Sequence, residues 1–113
     1  MEYESQEWAK EFPGLGVFQD IWDAWDSVEQ RVMELSEGSH LKIVQHQLHE
    51  ILGASDRQSE LNEIVDIISV SLNWLRWHGL NTADIAALVQ KRNSQRYVGK
   101  TTEIMDKYAA MGM

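Results

Sequence analysis

The sequence predicts an all-α protein: a small antiparallel helical bundle, expected to oligomerise. Three observations carry this. The 113 residues include one Pro and seven Gly, so breakers are few. Apolar residues recur at spacings of three and four, and no run alternates with period two. One long segment is apolar on two faces, which is the pattern of a helix central to its fold or packed on another subunit.

Taken in order, a first short helix is expected over 2–11 and is broken by the Phe-Pro-Gly-Leu-Gly run at 12–16. A second is expected over 17–35, with Phe18, Ile21, Trp22, Trp25, Val28, Val32 and Leu35 as its apolar stripe. Glu37-Gly38-Ser39 stops it, and Ser39 is the expected cap of a third helix over 40–52. That helix carries Leu41, Val44, Leu48, Ile51 and Leu52 on one face, and Gly53 suits its C-terminal cap.

Ser55 and Gln58 read as a capping box opening a fourth helix over 57–78, which ends at Gly79. Thr82 is the expected cap of a fifth helix over 83–95. A turn at Val98-Gly99-Lys100-Thr101 precedes a last helix over 102–111. There is no internal repeat, low-complexity tract or linker, so the chain reads as one domain, 1–113.

The formal net charge of −8 disfavours nucleic-acid binding, because an acidic surface repels phosphates. It leaves room for a phosphorylated small molecule, since a bound divalent cation inverts the local field. With no Cys, a disulfide framework, a thiolate metal site and a Cys nucleophile are excluded. The acidic N-terminus lacks the apolar core of a secretory signal, and no stretch is long enough to span a bilayer. A cytoplasmic location and no membrane partner are the expectation.

The fourth helix holds the informative anomaly. Leu61, Ile64, Val65, Ile68, Leu72 and Leu75 form one stripe, and Ile67, Val70, Trp74 and Trp77 form a second opposite it. Glu63 falls within the second stripe and Asp66 borders it. Buried carboxylates are costly unless partnered, neutralised or metal-bound. Residues three apart on a helix lie about 4.5 Å apart along its axis and can aim at one ion.

The short loop makes the third and fourth helices antiparallel, which puts Gln47 and Glu50 level with Glu63 and Asp66. Glu50, Glu63 and Asp66 are therefore expected to converge, with Gln47 able to add a neutral carbonyl oxygen. An all-oxygen cluster open to water and phosphate suits Mg²⁺ or Mn²⁺. The bland alternative is a solvated helix face, which is where most E-x-x-D pairs sit. His46 and His49 read as polar helix residues, because the Glu of His-Gln-Leu-His-Glu lies outside the two His and makes no H-E-x-x-H zinc motif. Trp74 and Trp77 read as packing before they read as a stacking platform.

Together these motifs resemble the all-α NTP pyrophosphatases of the MazG-like superfamily, most strongly over 40–100. That family carries E-E-x-x-E on one helix and, after a spacer, E-x-x-D on the next. Here His-Gln-Leu-His-Glu-Ile at 46–51 stands in phase with the first motif, and Glu63-Ile64-Val65-Asp66 supplies the second after twelve residues. The run from Trp77 to Tyr97 resembles the family's downstream segment. The resemblance implies a Mg²⁺- or Mn²⁺-dependent nucleotide pyrophosphohydrolase, a dimer or tetramer, converting a nucleoside triphosphate to monophosphate and pyrophosphate. It implies Glu50 and Glu63 as catalytic residues, and Glu50, Glu63, Asp66 and Gln47 as the metal site. Lys91, Asn93 and Arg96 would contact phosphate or sugar.

The chain departs from the motif where the paired Glu are His46 and Gln47. That loss would cost a second ion, and three outcomes follow: a site working with fewer charges, recruitment of Glu60 or of Glu34 and Glu37, or nucleotide binding without hydrolysis. The alternative reading is a degenerate, noncatalytic interaction or regulatory module. The basic run 90–101, with Lys91, Arg92, Arg96 and Lys100, has a plain explanation too, since cations offset a helix C-terminal dipole.

Overall fold

A computed structural model describes residues 14–113. Among them the regular structure is helical, with no strand. The helix expected over 2–11 lies outside the described residues. Two short helices come first, α1 (Gln19–Ala24) and α2 (Glu29–Glu34), each led by a single 3₁₀ turn. They are followed by α3 (Glu37–Leu52), α4 (Arg57–Trp77), α5 (Thr82–Arg92) and α6 (Thr101–Ala110), with a π-helical turn, Asn93–Tyr97, between the last two. No helix is long and apolar enough to cross a membrane among the described residues.

The stripe expected to run unbroken over 17–35 is interrupted, and the cause is tertiary. Arg76 of α4 is 2 % exposed and lays its guanidinium 3.8 Å from the Trp22 ring centroid. Its Nη2 donates to the Trp22 carbonyl at 2.6 Å and its Nη1 to Asp26 Oδ1 at 2.8 Å. The Trp22 carbonyl otherwise accepts only from Trp25, in a tight i+3 bond, so the α-helical ladder ends there and a 3₁₀ turn follows. Trp25 is also held outward, its Nε1 donating to Ser69 Oγ.

Caps shift by one to three residues from their expected places. Ser36, not Ser39, caps α3, accepting from the Ser39 N–H at 3.1 Å. Asp56, not Ser55, caps α4, accepting from the Ser59 N–H at 2.7 Å. Asn81, not Thr82, caps α5 in a reciprocal box with Asp84. In each case the capping residue has the extended backbone that aims its side-chain oxygen at the first turn.

The Ser59 N–H holds the exposed Asp56 carboxyl below its ordinary value of 3.8. A carboxyl depressed in the folded state adds stability above its unfolded pKa and loses it as pH falls through the folded one. An acid titration of helicity is therefore expected to show a smaller loss below about pH 4 in Asp56→Asn than in the wild type. An unchanged acid limb would contradict this role.

α4 is the central element, as its two-sided pattern predicts. Its Leu72 forms the core with Trp22 of α1 and Ile85 of α5, and Leu15, Ile21, Ile68, Leu75 and Leu80 pack around them. Ile85, 1 % exposed, contributes roughly 1.5–3 kcal/mol by burial. The other face of α4 packs on α3. His40 stacks on Trp74, with ring centroids 6.2 Å apart, and tilts against Trp77 at 5.5 Å, while Trp77 Nε1 donates to the Leu35 carbonyl.

α3 is rotated from the expected orientation. His40, Val44, Gln47 and Ile51 lie on the face toward α4, whereas Leu41, Leu48 and Leu52 are exposed. The reason is that His40 packs on the Trp74 and Trp77 rings, which supply apolar bulk, while Gln47 bonds Glu63 farther along the seam. The N-terminal half of the first α4 stripe, Leu61, Ile64 and Val65, is exposed as well.

Candidate functional site

The α3–α4 seam joins the two motif segments. Gln47 is buried, and its Nε2 donates to Glu63 Oε2 at 2.7 Å and to the Glu63 carbonyl at 3.0 Å. This pair and the His40–Trp74 stack, farther along, give the antiparallel register expected for these helices. The Glu63 side chain is half-buried, and its bond from the Gln47 amide is short.

With Gln47 and Glu63 facing each other, helical phase places the rest. Glu50 and Asp66 fall on one flank of the α3–α4 pair. Leu41, Leu48, Leu52 and Ile64 fall on the other. Glu50 and Asp66 are both exposed.

The expected convergence of Glu50, Glu63 and Asp66 on one point is not formed within the chain. Among the described residues no three His, Asp or Glu side chains are grouped so that they could hold a metal ion. Glu50 instead pairs with His46 one turn earlier, Nε2 to Oε1 at 3.1 Å, with both groups exposed. The candidates for replacing the lost charge are engaged elsewhere or apart. Glu34 accepts from Gln30, Glu37 lies 3.9 Å from His78, and Glu60 sits exposed in the first turn of α4.

The physical reason lies at position 47. A carboxylate there would face Glu63 across the seam, and two like charges so close require a cation or a shared proton. The Gln47 amide supplies the hydrogen-bond donor itself. Glu63 is thereby satisfied without an ion, through one of its two oxygens.

The donor set is nonetheless of the right chemistry for one hard cation. Mg²⁺ is commonly held by one or two carboxylates together with substrate phosphates. Glu63 and Asp66, one turn apart on α4, fit that demand, with Glu50 on the same flank. They do not fit a preformed multi-ion cluster.

The downstream residues separate. Arg96 lines a groove with Arg92, Lys100 and Lys107, whereas Asn93 lines a neighbouring cavity with Val89, Gln90 and Tyr97. Lys91 lines neither. Lys107 was not singled out by the sequence, although it stands seven residues, two helical turns, beyond Lys100. Also outside the expected site are His40 Nε2 and Trp74 Nε1, which are buried without a hydrogen-bond partner among the described residues.

Comparison of the sequence with protein-family models, with curated proteins and with solved structures finds no match.

Proposed function

We propose that the chain is a metal-dependent nucleotide pyrophosphohydrolase that hydrolyses a nucleoside triphosphate to the monophosphate and pyrophosphate. The observation that carries this reading is the Gln47–Glu63 contact, which seats the two resembling motifs against each other in register. Glu63 and Asp66 would hold a single Mg²⁺ or Mn²⁺ arriving with the substrate. That ion, when bound, supplies charge neutralisation on the phosphates and a lowered pKa for water.

The chain's own groups do the rest. Gln47 fixes the Glu63 carboxylate. Glu50, exposed on the Asp66 flank, would be the base that takes the proton of the attacking water. Lys91, Asn93 and Arg96 would bind phosphate and sugar. Positioning and charge, rather than covalent chemistry, carry phosphoryl-group hydrolysis of this kind. The test is pyrophosphate release from a panel of canonical and modified dNTPs with Mg²⁺ or Mn²⁺. Release that disappears in Glu63→Gln supports the reading, and its absence with every nucleotide refutes it.

The same contact favours a second reading. Because Gln47 satisfies Glu63 without an ion, the chain also suits a noncatalytic role as an oligomeric interaction or regulatory module. Restoring the motif by Gln47→Glu separates the two.

Both readings include a homo-oligomer. Leu41, Leu48, Leu52 and Ile64 share one exposed flank of the α3–α4 pair, and Leu61 and Val65 are exposed nearby. A contiguous apolar surface of this kind on a small domain marks an interface. Light scattering at micromolar concentration is expected to give a dimer or larger species, and Leu48→Glu to shift it toward monomer. A wild-type monomer would contradict this.

A further inference from the structure

Four of the ten Lys and Arg residues of this acidic chain gather in one place. Arg92 ends α5, Arg96 lies in the π turn, Lys100 is the N-cap of α6, and Lys107 follows two turns later. Together with Gln95 and Glu103 they line a groove of about 280 Å³. Among the described residues none of the four is within ion-pair distance of a carboxylate, since the ion pairs there involve His46, Arg76 and His78. Lys100 instead donates to the Gln95 carbonyl at 2.9 Å, which folds its ammonium over the π turn.

This arrangement is electrostatically unfavourable as it stands. Clustered like charges repel, and acidic groups elsewhere on the chain outnumber the cations. The helix dipole accounts for Arg92, at the C-terminal end of α5, and for Lys107, in the last turn of α6. It does not account for Lys100, which stands at the positive end of α6, nor for Arg96 beside it. The π turn is the local device: its i+5 bond, Val98 N–H to the Asn93 carbonyl at 2.9 Å, inserts an extra residue and brings Arg96 into the groove with Lys100.

We propose that this groove binds a polyphosphate anion. Guanidinium and ammonium groups are the matching donors for phosphate oxygens, and several of them converging suit a ligand with several charges. The volume lies at or just below the small end of ligand pockets, roughly 300–1,000 Å³, so the groove fits a phosphate chain better than a whole nucleotide. The site shares Arg96 with the hydrolase reading but does not rest on it, because it needs neither the carboxylates of α3 and α4 nor a metal ion.

The test uses inorganic triphosphate with the full chain at low salt in EDTA, which removes any metal-borne contribution. Saturable binding is expected, with amide shifts in heteronuclear NMR spectra centred on 92–107 and an affinity that falls steeply with added salt. Arg96→Ala and Lys100→Ala are each expected to weaken binding about tenfold or more, through loss of a charge-assisted contact. Glu103→Gln is expected to tighten it, and Arg57→Ala, on a different helix, to leave it unchanged.

A parallel arm with dATP tells a free polyphosphate from the triphosphate tail of a nucleotide. Saturable binding of triphosphate supports the site, and the order of the two affinities identifies the source. The proposal is overturned by no saturable binding of triphosphate, by equal weakening in Arg57→Ala, or by tighter binding of a single-stranded oligonucleotide than of triphosphate. Pyrophosphate release is irrelevant to these outcomes, so the groove and the hydrolase reading fail separately.

Discussion

Arg76→Ala is expected to destabilise the fold by about 2–3 kcal/mol, and so to lower the midpoint of thermal unfolding by roughly 10 °C or more. Three losses combine. The Trp22 carbonyl loses a buried donor at 2.6 Å, the Trp22 ring loses the cation above its face, and the space filled by a side chain that is 2 % exposed is left open. The ion pair with Asp26 is the smallest part, because that carboxylate is 60 % exposed and solvent screens it. Asp26→Asn is therefore expected to cost well under about 1 kcal/mol. Arg76→Lys should fall between the two, since a point ammonium cannot serve Trp22 and Asp26 as a planar fork does. Thermal and denaturant unfolding of the three variants checks the ranking. If Asp26→Asn were as damaging as Arg76→Ala, the clip would be an ion pair and this account of the helix break would be wrong.

Gln47→Glu is expected to have the largest effect on the candidate site. In the wild type the amide donates to Glu63 at 2.7 Å. In the variant two carboxylates share a half-buried seam, and at neutral pH without divalent ions a loss of about 1.5–3 kcal/mol is expected. The pH dependence has a definite sign. The repulsion raises the carboxyl pKa values in the folded state, so the penalty is full above the folded pKa and is relieved as pH falls through it. Mg²⁺ or Mn²⁺ should reverse the loss. An ion at a hundred times its Kd restores about 2.7 kcal/mol. The wild type should show a smaller cation response, because Gln47 already satisfies Glu63. On the hydrolase reading, pyrophosphate release also rises in the variant. A variant neither destabilised in chelator nor rescued by divalent ions would favour the interaction-module reading.

Much of the helical framework was readable because it rests on local chemistry. Apolar periodicity and the Gly-rich breaks located α3 through α6 to within a few residues, and the two stripes of α4 marked it as central. What was not readable depends on partners distant in sequence. Arg76 breaks the α1–α2 stripe from fifty residues away, by taking a carbonyl that the helix would otherwise use. The caps moved because Ser36 and Ser39, Ser55 and Asp56, and Asn81 and Thr82 compete locally, and backbone direction decides between them. α3 turned because His40 packs on the indoles of Trp74 and Trp77 and Gln47 bonds Glu63, two polar positions that apolar counting placed outside. At the candidate site the antiparallel register and the meeting of positions 47 and 63 were legible. The grouping of Glu50 and Asp66 with them was not, since Glu50 has His46 within reach on its own helix.

The most direct measurement is pyrophosphate release from the dNTP panel with Mg²⁺ or Mn²⁺, wild type beside Glu63→Gln. The account predicts release by the wild type, dependent on the divalent ion and abolished in the variant. Absence of release from every nucleotide, or release undiminished in Glu63→Gln, would contradict it.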